Sequence, residues 1–273
     1  MVFNLFDVLM LPGLELVWDI IAFFISLIVV LMLVQINAAI EKSGKLSTNV
    51  TRKIIHIFAA PLWILTWMLF SGSIYSRWLA MIVPLFFVLQ FVAIGTGKVK
   101  NEDFVKSMSR SGDPKELLGG TLYYAFLMIV YCVVWFYVPA GGSLAGATPM
   151  AMIVFGCLAG GDGLADVIGR KYGGEKKFGI GGSERTIAGS IGMFIGSFLF
   201  SYVLLFFFSL EVGWDIVALF IPVLLISIIA TIAEALSPKG LDNWVVPIVV
   251  TIVVLLMPWI FPTVWSFPMF TLF

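Results

Sequence analysis

The sequence predicts an all-α, polytopic integral membrane bundle of about eight transmembrane helices, with both termini outside. Three observations carry that prediction. Hydrophobic residues fill 61% of the 273 positions and charged residues only 12%, with a mean hydropathy of +1.08; a soluble domain is about 45–50% apolar and about 25% charged. Apolar runs of the length that crosses a bilayer recur along the whole chain. Lysine and arginine alternate between successive loops. So few charges cannot coat a soluble globule, which excludes a cytosolic enzyme, a nucleic-acid binder with a basic face and a disordered linker. The runs are continuous and lack the ten-residue alternation of a barrel, so they are helical.

The elements follow in order. The stretch before Val17 is short and apolar and reads as an interfacial segment. It has neither the Lys/Arg start of a signal peptide nor the Arg/Ser-rich character of a transit peptide, so the first span is expected to be retained. Spans are expected at 17–40, 54–72, 78–97, 121–139, 148–168, 187–210, 215–236 and 244–262. Of the 16 Lys and Arg residues, 15 fall in odd-numbered loops, and Arg77 alone falls in an even one. Positive loops stay in the cytoplasm, so the odd loops face it. A missed or invented span would scramble this alternation. No repeat or linker is visible, and residues 1–273 read as one transmembrane domain. Its polar loops, at about 41–53, 98–120, 169–186 and 237–243, line the cytoplasmic side, and the cell membrane of a prokaryote is the expected location. Cys132 and Cys157 both lie inside apolar runs and read as small core residues, not as a disulfide or a metal site.

The chemistry gathers on that cytoplasmic side. Asp162 and Asp166 are four residues apart, so a helix places them on one face near the end of the fifth span. Two like charges there need an offset. A divalent cation such as Mg²⁺, held by one or two carboxylates and substrate phosphates, supplies it; salt bridging to Arg170 is the alternative. Paired intramembrane acids favour the cation. Arg170, Lys171, Lys176, Lys177 and Arg185 follow, interleaved with Gly173, Gly174, Gly179, Gly181 and Gly182. Such a loop suits a polyphosphate, although an ordinary positive loop on anionic lipid has the same composition. It is not a Walker A loop. Thr186 or Ser190 is placed to cap the sixth span, whose N-terminus favours an anion. Gly192 and Gly196 have the spacing of close helix packing. Arg52, Lys53 and His56 stand at the start of the second span. His56 is the sole histidine, which argues against a zinc site. Glu234 in the seventh span needs a partner, a cation or an arginine.

These residues resemble the CTP-dependent polyprenol kinases, the group of phytol, farnesol and dolichol kinases, and within it the phytol kinase branch. The resembling runs are Arg52–His56, Leu118–Tyr124, Gly161–Gly173, Arg185–Phe194, and Glu234 with Leu241–Pro247. Gly120 replaces an expected proline, and Arg185 a common lysine. The resemblance implies γ-phosphate transfer from CTP or another nucleoside triphosphate to an isoprenoid alcohol in the bilayer. Asp162, Asp166 and Glu234 would then hold Mg²⁺, and Gly161, Arg170, Lys171, Lys176, Lys177, Arg185, Thr186 and Ser190 would hold the nucleotide. Arg52, Lys53, Tyr123, Asp242 and Asn243 would support the substrate. Asp162, Asp166, Glu234 and His56 all stand as possible bases. A phospholipid cytidylyltransferase and a transporter with an intramembrane acidic site are the rival readings; no nucleic-acid partner is expected, and a homo-oligomer is compatible.

Overall fold

The computed structural model describes residues 13–109, 111–141 and 144–272. The expected interfacial segment lies almost wholly outside these, as does Arg110. Among the described residues ten α-helices form: α1 Glu15–Lys42, α2 Thr48–Leu65, α3 Ser76–Gly95, α4 Glu102–Met108, α5 Gly120–Trp135, α6 Met150–Phe155, α7 Asp162–Tyr172, α8 Ile187–Val212, α9 Phe220–Ala235 and α10 Asp242–Ile260. A π-helical turn, Gly156–Gly161, joins α6 to α7. Seven helical segments among the described residues are long and apolar enough to cross a membrane, and α9 is a shorter apolar helix. The eight expected spans are therefore all present as helices, one of them short.

The differences from the expected bounds have local causes. Helix α9 starts at Phe220 rather than near 215, because Gly213 closes α8 in a left-handed conformation (φ +79°) and Asp215 Oδ1 accepts the backbone N–H groups of Val217 and Ala218 at 3.0 Å. The expected loop at 41–53 is largely helical, since α2 begins at Thr48 and carries Arg52 and Lys53 within it. Helix α7 runs on to Tyr172, so Arg170 and Lys171 are helical. The loop at 98–120 contains α4, capped by the Asn101 side chain on Phe104 N–H at 3.1 Å.

The central element is α6 with its π turn, where every residue from Met150 to Gly161 is buried. Helix α8 packs against it and α7 through small residues. A Cβ at Gly196 would collide with the Gly160 carbonyl oxygen, and one at Gly192 would lie 2.7 Å from the Leu164 oxygen. The glycines expected to serve packing do so. Large apolar side chains such as Ile28, Leu89, Phe126, Phe207 and Ile252 are exposed on the outside, as a lipid-facing surface requires. The basic odd loops meet at one end of the bundle. At the opposite end, buried Asp19 accepts from Ser71 N–H, Ser73 Oγ and Ser76 Oγ, each at 2.7 Å. Arg77 donates there to the carbonyls of Val133, Val138 and Thr271.

Candidate active site

Helix α7 presents Asp162, Asp166 and Arg170 on one face, at successive turns. The π turn immediately before it adds a residue to the helical register, an irregularity frequent at functional sites. Helix α2 faces α7 and presents Lys53 and His56. The two helices meet at Gly163, where a Cβ would collide with the Ile57 side chain. Lys53 Nζ lies 3.7 Å from Asp162 Oδ2 and 3.4 Å from Asp166 Oδ2. His56 Nε2 lies 3.1 Å from Asp162 Oδ2, and Arg170 Nε donates to Asp166 Oδ1 at 2.9 Å. Lys53 and Asp162 are mostly buried, so this is a tightly held charge cluster rather than a solvated one.

The Gly-rich loop after α7 is folded back on itself. Phe178 and Arg185 form one isolated antiparallel bridge, made by reciprocal backbone bonds of 2.9 and 2.7 Å. Gly179, Gly181 and Gly182 take positive φ to make the turn, which is why glycine is needed there. Lys177 pairs with Glu184 across it, and that hydrogen bond holds the Glu184 carboxyl below its ordinary value. Arg185 then reaches across to the end of α9 and the start of α10: its Nε lies 2.9 Å from Glu234 Oε1, and its Nη2 donates to Asp242 Oδ2 at 3.1 Å. Thr186 Oγ1 caps α8 by accepting from Gly189 N–H at 3.0 Å.

These groups surround one cavity of about 1130 Å³. Its mouth is polar and carries Arg52, Lys53, His56, Asp162, Asp166, Arg170, Lys177, Arg185, Thr186, Ser190, Glu234, Asp242 and Asn243. Its far end is apolar, walled by Val30 and Val34 of α1, Ile55 and Ala59 of α2, Val83, Pro84, Phe87 and Phe91 of α3, and Ala125 and Met128 of α5. The arrangement has the chemistry to suit a polyanion at one end and a hydrocarbon at the other. The acid and base groups stand between the two.

Several expected site residues sit apart from the others. Glu234 is not brought into a ligand set with Asp162 and Asp166; its carboxylate is committed to Arg185, and no group of three metal-ligating His, Cys, Asp or Glu side chains forms among the described residues. Gly161 is buried and does not line the cavity, and a Cβ there would collide with Ser197 Oγ. Lys171 and Lys176 are exposed and lie outside the cavity lining; Lys171 Nζ sits 5.2 Å over the Tyr172 ring. Of the two capping candidates, Thr186 rather than Ser190 closes the helix. Tyr123 packs outside on Trp244, centroid to centroid 5.4 Å. It is Tyr124 that lines the cavity, with its ring 4.8 Å from that of His56 and its hydroxyl donating to the His56 carbonyl at 3.0 Å. Helical spacing singles Tyr124 out, since Leu127, Met128 and Tyr131 share its buried face. Glu116, Glu184 and Lys239 also line the cavity; only their loop positions hinted at it.

Among proteins of known identity, the chain is 33% identical over 216 residues to phytol kinase 1, chloroplastic, of Arabidopsis thaliana, covering 77% of this chain and 67% of that protein. It is 32% identical over 229 residues to the chloroplastic farnesol kinase of the same plant, covering 83% and 71%. The chain belongs to the polyprenol kinase family, on its phytol kinase side. A probable phytol kinase 1 of rice, Oryza sativa subsp. japonica, is 34% identical over 207 residues, or 73% of this chain and 62% of the relative. The chain thus spans about two thirds of the length of these kinases. No family model and no solved structure matches it.

Proposed function

We propose that this membrane protein is a prenol kinase that transfers the γ-phosphate of CTP, or of another nucleoside triphosphate, to an isoprenoid alcohol such as phytol, geranylgeraniol or farnesol. The single observation that carries this reading is the two-ended cavity, with Lys53, His56, Asp162 and Asp166 at the junction of its charged and apolar ends. The kinase names of the relatives support the same reaction. CTP as donor rests on the family resemblance.

In this reading the alcohol lies with the first part of its chain in the apolar end and its hydroxyl near His56. The triphosphate enters the polar mouth, and Arg170, Lys177 and Arg185 neutralise it. The hydroxyl oxygen bonds to the γ-phosphorus while the bond from that phosphorus to the β,γ-bridging oxygen breaks, releasing a nucleoside diphosphate. The hydroxyl proton passes to the Asp162–His56 pair. Positioning and charge stabilisation do most of the work in such transfers. Asp162 and Asp166, two carboxylates one turn apart, would hold one Mg²⁺. When bound, such an ion neutralises charge on the phosphates. Lys53 lies within 3.7 Å of both acids and balances their charge.

A cytidylyltransferase would instead attack the α-phosphate and release pyrophosphate. Purified protein with labelled CTP, Mg²⁺ and prenols of graded length separates the two: prenyl phosphate with CDP is the expected outcome, and pyrophosphate release overturns the kinase reading. The mouth is proposed to face the cytoplasmic side by the distribution of positive charge. The expected prokaryotic cell membrane gains no support from relatives that are chloroplastic plant proteins.

A further inference from the structure

The apolar end of the cavity stops at a defined layer. Its lining reaches Val30 on α1, Ala59 on α2, Val83 on α3 and Met128 on α5. About one turn further from the mouth, each of these helices presents a fully buried residue: Ser26, Trp63, Ala80 and Cys132. That layer is tied together by hydrogen bonds. Ser26 Oγ lies 2.6 Å from Thr66 Oγ1, Trp63 Nε1 donates to the Ala80 carbonyl at 3.3 Å, and Cys132 Sγ donates to the Arg77 carbonyl at 3.4 Å.

The Trp63 bond has a cause in the sequence. Pro84 lies inside α3 and has no N–H, so the carbonyl four residues earlier, that of Ala80, lacks its helical donor. The indole N–H takes that place. A second contact, edge-on to Trp67 at 5.0 Å between centroids, holds the ring from the other side. The largest side chain of the layer is thus held in place one turn beyond Ala59, the last residue of its helix that lines the cavity.

We infer that Trp63 is the floor of the alcohol site and determines how much of the isoprenoid chain fits below the hydroxyl. This rests on the prenol kinase reading. From His56 to Trp63 is seven residues of one helix, or about 10 Å at 1.5 Å per residue. With C–C bonds of about 1.5 Å in a zigzag, that depth takes roughly eight main-chain carbons, the first two isoprene units. The walls suit such a chain, being aliphatic and aromatic with no charged group beyond His56. An isoprenoid, rather than a hydrophilic alcohol, is the ligand they would admit.

The test compares geraniol, farnesol and geranylgeraniol, which have two, three and four units, as substrates of the full-length protein. Trp63→Leu deepens the floor, and Val83→Phe fills the space above it. Trp63→Leu is expected to raise the ratio of kcat/KM for farnesol to that for geraniol at least fivefold. Val83→Phe is expected to lower it at least fivefold, with the KM for nucleotide unchanged in both. A diazirine-bearing geraniol supplies a readout without turnover: it is expected to label Ala59, Trp63 or Val83 in the wild-type protein. Unchanged chain-length ratios in both variants, or labelling confined to the outer surface, overturns the inference. Labelling of these residues in a protein that phosphorylates no prenol would instead retain the floor and overturn the kinase reading.

Discussion

At the scale of single residues, the decisive group is the pair Asp162 and Asp166. Lys53 holds both at 3.4–3.7 Å, so either substitution to asparagine preserves shape while removing charge. Asp162→Asn and Asp166→Asn are each expected to cut phosphoryl transfer by about 10²–10³, the magnitude typical of losing one preorganised electrostatic group. The measurement is turnover of purified, correctly inserted protein, and near-normal rates in both variants would remove the pair from the chemistry. The sequence reveals this pair because two acids four apart on an apolar helix share a face. It conceals their partners, since Lys53 and His56 lie more than a hundred positions earlier and only the meeting of α2 with α7 brings them close. Glu234 shows the converse. An isolated acid in an apolar run announces a need for a partner, but whether a cation or an arginine answers it depends on where Arg185 reaches.

Helices set the distances between such residues, and glycine sets the distances between helices. Gly163 lets α2 approach α7 closely enough for the Lys53 and His56 contacts. A methyl group there would run into Ile57. Gly163→Ala is therefore expected to destabilise the protein by about 1–3 kcal/mol through overpacking. It should also reduce turnover by more than that loss of folded protein explains. Thermal unfolding in detergent and kinetics at a temperature where the variant is folded separate the two effects; unchanged stability and rate would show that the contact does not set the helix spacing. Hydropathy shows all eight spans, yet it misplaces the ends that matter for chemistry. It trims Arg52 and Lys53 from α2, and Arg170 from α7, because a charge lowers a window average even where the backbone stays helical. It also cannot show the fold of the Gly-rich loop, where Lys177 turns toward Glu184 and Lys176 stays exposed.

Across the whole molecule, one asymmetry organises both insertion and the site. The basic odd-numbered loops, as far as their residues are described, meet at the end where the cavity opens, so the charges that orient the chain in the membrane also surround the mouth proposed to receive a polyanion. The opposite end is neutralised internally, by Asp19 with serine donors and by Arg77 with carbonyls. This predicts the sidedness of every loop. Cysteines introduced at Lys45, Lys98 or Lys239 are expected to react with a membrane-impermeant maleimide only from the cytoplasmic side, and cysteines at Ser73 or Gly141 only from the other. The native Cys132 and Cys157 are fully buried, so background labelling should be low. Labelling of the Lys239→Cys and Gly141→Cys variants from the same side would break the alternation. A cavity mouth facing away from the positive side would separate the site from its proposed donor, because a triphosphate does not cross the hydrocarbon to reach it.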